Sequence, residues 1–135
     1  MLAQNFKTPA DLGIEDVEFD ALVKVLGALE RGDLKFVNAE ARAVGDAFNM
    51  GPYLSVESCG TVGCIAGWAH ILSGCKAFSW VRVPSLIEIG PDLFELFHVI
   101  GVMPEVRVNI QPAQAAIALR NYLTTGRPNW EEALA

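Results

Sequence analysis

Cys59, Cys64, His70 and Cys75 fall within the stretch Cys59-Gly60-Thr61-Val62-Gly63-Cys64-Ile65-Ala66-Gly67-Trp68-Ala69-His70-Ile71-Leu72-Ser73-Gly74-Cys75. All three cysteines of the chain, one of its three tryptophans and one of its two histidines are here, and the stretch is nearly free of charge. Thiolate and imidazole are the groups of nucleophilic catalysis and of soft-metal binding, so three chemistries are open: a thiol nucleophile, a metal site and a disulfide.

The element that must position these residues is a helix. Thr61 can serve as its N-cap, Val62 to Leu72 as its body, and Gly74 as the left-handed residue beyond its end. Cys64, Trp68, Ile71 and Cys75 then share one face, and Gly63, Gly67, His70 and Gly74 another. The run is too short for the roughly 20 residues that span a bilayer, which predicts a buried core helix and no membrane partner. Its interior glycines each cost about 1 kcal/mol against alanine, a cost offset where a neighbouring backbone approaches closely.

That geometry weighs on each chemistry. Cys59 would sit just before the helix N-terminus, where the dipole and free N–H groups lower a thiol pKa. His70 would lie about 16 Å further along the same axis, which leaves His98 as the base, so Cys59 and His98 are the candidate catalytic pair if the protein is an enzyme. Cys64 and Cys75 would be about 16 Å apart on one helix, while zinc holds its ligands within about 2.3 Å of a point, and the chain has no Cys-x-x-Cys. No metal or cofactor is expected. A Cys59–Cys64 disulfide is within reach across a helix start, but two small thiols packed in a core is the favoured reading.

The remaining elements follow from caps and periodicity. Thr8-Pro9-Ala10-Asp11 is a helix start, ended by Gly13. Phe19, Leu22, Leu26 and Leu29 repeat at helical spacing across residues 15–31, with acids at the first turn, Arg31 at the last and Gly32 as the stop. Asn38 can cap a helix through residues 39–47, Phe48-Asn49-Met50-Gly51-Pro52 reads as a turn, and residues 53–58 as an irregular lead-in to Cys59. Residues 77–83 and 106–110 partly alternate and predict two short strands; a capping-box pattern at Ser85-Leu86-Ile87-Glu88 lies between them. Gly90-Pro91 opens a helix carrying Leu93, Phe94, Leu96, Phe97 and Ile100, stopped at Gly101. The last helix starts at Pro112, carries Ala116, Leu119 and Leu123 on one face, and ends at Gly126, with Trp130 placed to fold back on it.

The expected fold is therefore mainly α: one domain over residues 1–135, a compact bundle-like array of four to six helices around a buried glycine-containing helix, with at most a short two-stranded β-ribbon. A chain of 135 residues that is 52% hydrophobic and 19% charged has a core and is not disordered. Net charge is −6 and the ten basic residues are scattered, which argues against a nucleic-acid surface. Met1-Leu2-Ala3-Gln4-Asn5-Phe6-Lys7 has no signal-peptide pattern, and an odd cysteine count fits a reducing compartment; a cytoplasmic location is expected. Trp68, Trp80, Trp130, Tyr53 and Tyr122 read as packing residues ahead of a ligand pocket, and the acids at Glu15-Asp16, Glu18 and Glu131-Glu132 as solvated surface.

The segment Cys59-Gly60-Thr61-x-x-Cys64-Ile65-Ala66-Gly67-Trp68-Ala69 resembles the core signature of a family of small uncharacterised proteins found in bacterial and phage genomes. Phe48-Asn49-Met50 matches the element preceding that signature, Leu96-Phe97 or Leu93-Phe94 the one following it, and the alanine-rich residues 113–123, Thr125-Gly126 and Trp130 its ending. Gly63 stands where the family often has alanine. The resemblance covers roughly residues 45–131 and implies no catalytic residues. Cys-Gly-Thr-x-x-Cys is also loosely similar to the nucleophile segment of papain-like peptidases, whose sheet-borne histidine this chain lacks in its predicted elements. The expected role is a small non-enzymatic intracellular accessory or protein-interaction protein, phage-like in kind; the alternative is a thiol-dependent hydrolase or redox protein using Cys59. A mean hydropathy of +0.32 favours a homodimer, associating through the exposed part of the helix at residues 93–102.

Overall fold

The computed structural model describes residues 6–36, 47–48, 54–57, 60–74, 76, 91–98 and 109–135. Within them the chain is mainly helical. Six helices, α1 (Pro9–Leu12), α2 (Asp16–Arg31), α3 (Ile65–Leu72), α4 (Pro91–His98), α5 (Pro112–Thr125) and α6 (Trp130–Ala133), accompany four short strands, β1 (Lys35–Phe36), β2 (Ala47–Phe48), β3 (Leu54–Glu57) and β4 (Gly60–Gly63).

The terminal helices form where their caps dictate. Thr8 Oγ1 accepts from the Asp11 backbone N–H at 3.1 Å, with Pro9 at the first helical position of α1. The Glu15 N–H donates to a Glu18 carboxylate oxygen at 2.9 Å, and the Gln111 N–H to the Gln114 side-chain amide oxygen at 2.9 Å, so α2 and α5 both open with a backbone donor satisfied. Gly32 and Gly126 close these two helices at φ 78° and 90°, backbone that a Cβ disfavours. Asn129 enters the left-handed region at φ 48° to start α6; asparagine is the side chain that tolerates it most readily.

α2 is the common wall. It buries Phe19, Ala21, Leu22, Val25, Leu26, Ala28 and Leu29, a stripe too wide for one neighbour, and it packs against both α3 and α5. α5 answers with Ala115, Ala116, Ala118, Leu119, Tyr122 and Leu123 and also carries α4 and α6. Trp130 folds back as expected: it is buried and its indole N–H donates to the Glu95 carbonyl at 3.0 Å, tying α6 to α4. The segment before α1 is drawn onto α5 by a 2.8 Å bond from the Lys7 N–H to the Leu123 carbonyl.

The strands form one mixed sheet in the order β1-β2-β4-β3. β1 runs parallel to β2 and β2 parallel to β4, while β3 and β4 pair antiparallel with Leu54 opposite Gly63 and Glu57 opposite Gly60. This corrects three expectations. Residues 54–57, read as an irregular lead-in, are strand. Ala47, read as the end of a helix, and Phe48, read as part of a turn, form β2; the rest of that predicted helix and turn lie outside the described residues. Thr61 to Gly63, read as helix cap and first turn, form with Gly60 the inner strand β4. β-branched Thr61 and Val62 fit a pleated strand better than a helix, and beginning α3 after Gly63 removes one costly interior glycine. The ribbon expected from residues 77–83 and 106–110 lies outside the described residues except for Asn109 and Ile110, which are turn and coil.

The sequence predicts an exposed apolar face on the helix at residues 93–102. In α4 the side chains of Leu93, Leu96 and Phe97 are instead buried in the core, because α4 docks on α5 and is pinned by Trp130.

Candidate functional site

Cys64 is the N-cap of α3, in extended backbone, and its carbonyl accepts the Trp68 N–H at 2.9 Å. Cys64 is buried, with only 5% exposure, as are Ile65, Ala66, Trp68 and Ala69 after it. The first five residues of α3 are buried all round, as expected for a central helix, and His70, Ile71 and Leu72 are half-buried. Ser73 caps the far end, donating to the His70 carbonyl at 2.9 Å and accepting the Lys76 N–H at 3.2 Å, and Gly74 follows at φ 72°.

Moving the helix start to Ile65 changes the chemistry of the cysteine stretch. Cys59 lies outside the described residues, but Gly60, its neighbour, begins a strand, so the free N–H groups and dipole invoked to activate Cys59 belong to residues further along the chain. His98 is the last residue of α4. Cys75, like Cys59, lies outside the described residues. Cys64 and His70 are on one helix, six residues and hence about 9 Å apart along its axis, which keeps them from closing on one metal ion. Among the described residues no group of three or more His, Cys, Asp or Glu side chains could hold a metal ion. The acids at Glu15, Asp16, Glu131 and Glu132 are exposed, and Tyr122 and Trp130 are buried packing residues.

Two concave surfaces do stand on described side chains, both along α2. The first lies between the end of α2 and the start of α5, about 440 Å³, lined by Leu29, Ala113, Ala116 and Ile117 with Glu30 and Arg120. Arg120 clamps Glu30 with Nη2–Oε1 and Nε–Oε2 distances of 2.7 and 3.1 Å, and its guanidinium lies 5.7 Å from the Phe6 ring centroid. The second lies between α2 and α3, about 630 Å³, with Val23, Lys24, Gly27, Ala28 and Arg31 on one wall and Trp68 and Leu72 on the other. Asp33 and Leu34 complete its lining, and Arg31 Nε donates to Asp33 Oδ2 at 2.9 Å.

Sequence reasoning passed over both. The signal available for the second was Gly27, a helix-disfavouring residue inside an otherwise strong helix, flanked at −3 and +4 by Lys24 and Arg31.

Fold and surface together define a mainly helical protein with a small mixed sheet and two α2-lined grooves. No protein-family model, curated protein or solved structure matches the chain. Among the described residues no helix is long and apolar enough to cross a membrane.

Proposed function

We propose that this is a small non-enzymatic accessory or interaction protein of the cell interior that works as a homodimer, in keeping with its resemblance to bacterial and phage proteins. The observation that carries the reading is Ile117. It is the one exposed large hydrophobic side chain among the described residues, at 44%. It borders the groove of Leu29, Ala113 and Ala116, whose small alanines let a second helix approach and accept a branched knob. The same edge carries Glu30 and Arg120, opposite charges that become self-complementary when a second copy is related by a two-fold axis.

One exposed isoleucine and a shallow groove make a small interface, so the affinity expected is micromolar. Sedimentation velocity of the full chain at tens of micromolar is the test. Wild type should sediment as a concentration-dependent dimer and Ile117→Asp as a monomer with unchanged circular dichroism. A wild-type protein that stays monomeric throughout that range rejects the reading.

A further inference from the structure

The groove between α2 and α3 lies apart from the Ile117 surface, so a ligand bound there needs no self-association of the chain. Its volume, about 630 Å³, is within the roughly 300–1,000 Å³ of small-ligand sites, and its walls have the composition of one: apolar, with a few polar groups at one side. Lys24, Gly27 and Arg31 follow each other at spacings of three and four on one face of α2. Across from them stand Trp68 and Leu72, one turn apart on α3.

Gly27 is the informative residue. A glycine inside a helix is normally explained by a neighbouring backbone pressed against it. Here the nearest heavy atoms to a Cβ built at Gly27 all belong to the Arg31 side chain, with Nη1 at 2.8 Å and Cζ at 3.7 Å. The guanidinium lies back over the bare helix surface at the groove. Its Nε donates to Asp33, a bond in which Nη1 and Nη2 take no part. Arg31 and Lys24 against the single acid Asp33 leave one net positive charge in the lining, in a chain whose overall charge is −6.

We propose that the α2–α3 groove binds a small amphipathic anion, its apolar body along the half-buried Val23 and Leu72 over a floor closed by Trp68, and its carboxylate on Arg31 and Lys24. A planar guanidinium matches a carboxylate in two parallel hydrogen bonds, and the apolar wall supplies most of the affinity. The Arg31 side chain is 65% exposed, so water screens the charge, and the preference for an anion over its neutral analogue is roughly two- to fivefold.

The test is calorimetric titration of the full chain with octanoate and with octanamide. Wild type should bind octanoate more tightly than octanamide. Arg31→Gln should abolish that preference while leaving octanamide affinity unchanged, and Lys24→Gln should reduce it. Gly27→Leu, which improves helix propensity while filling the groove, should weaken both probes about tenfold, roughly the loss of one well-packed apolar contact. Three results overturn the proposal: neither probe binding at millimolar concentration, a preference for octanoate that survives Arg31→Gln, or Gly27→Leu binding as wild type while its melting temperature shows it folded.

Discussion

Where α2 meets α5, Arg120 reaches back ninety residues to Glu30, and the same guanidinium rests on Phe6, whose ring stands edge-on to Phe19 at 6.4 Å. Where α2 meets α3, the cation is Arg31, and its partner is Asp33, two residues along its own chain. One pair crosses a boundary between elements; the other orients a side chain and crosses nothing. The crossing pair is still a surface pair, with side chains 43% and 42% exposed, and adds no more than about 1 kcal/mol. Both boundaries are held by apolar burial. They differ in finish: each carries a groove, but the rim of one is stitched across the boundary, while the arginine beside the other is tied only to its own chain.

The largest effect that bears on this comparison is expected from truncating each boundary's core. Leu119→Ala, on the α5 side, and Trp68→Ala, on the α3 side, remove side chains no more than 2% exposed and should each lower urea-derived stability by about 3 kcal/mol or more. A Trp68→Ala loss under about 1 kcal/mol would break the claim that the α3 boundary is as much core as the α5 boundary. Trp130→Phe keeps an aromatic ring but gives up part of the buried indole and leaves the Glu95 carbonyl without its donor, for an expected loss of about 2 kcal/mol by the same measurement. The smallest effect sharpens the contrast most. Arg120→Gln should cost about 0.5 kcal/mol, shrinking as salt is raised, whereas Arg31→Gln, which loses only contacts within its own helix end, should cost about half as much. Equal losses for the two would erase the distinction between a stitched rim and an open one.

The legible parts of the chain are those whose instructions are local. α1, α2 and α5 announce themselves through Thr8, Pro9, Gly32, Pro112 and Gly126 and through apolar residues at helical spacing, all within one element. The sheet is not legible. Ala47 and Phe48 make a strand of two residues, too short for any period, and its parallel pairing with β1 and β4 depends on where distant segments arrive. Thr61-Val62 misleads because threonine caps helices as readily as it fills strands, and a buried helix does begin four residues later. The helix-start argument for Cys59 rested on that boundary, which lies at Ile65; Cys59 itself is outside the described residues. The grooves are not legible beyond the hint of Gly27 for a simpler reason: Gly27 and Trp68, or Leu29 and Ala113, become neighbours only after the helices pack.

The packing of α2 on α5 carries a consequence for how the protein is made. α2 spans residues 16–31 and one of its two helical walls spans 112–125, so the growing chain carries Phe19, Leu22, Leu26 and Leu29 without that partner while some ninety further residues are added. At roughly ten residues per second that interval is on the order of ten seconds, long against the microseconds in which a helix forms. The nascent protein thus carries the apolar stripe of α2 without its α5 cover for that interval.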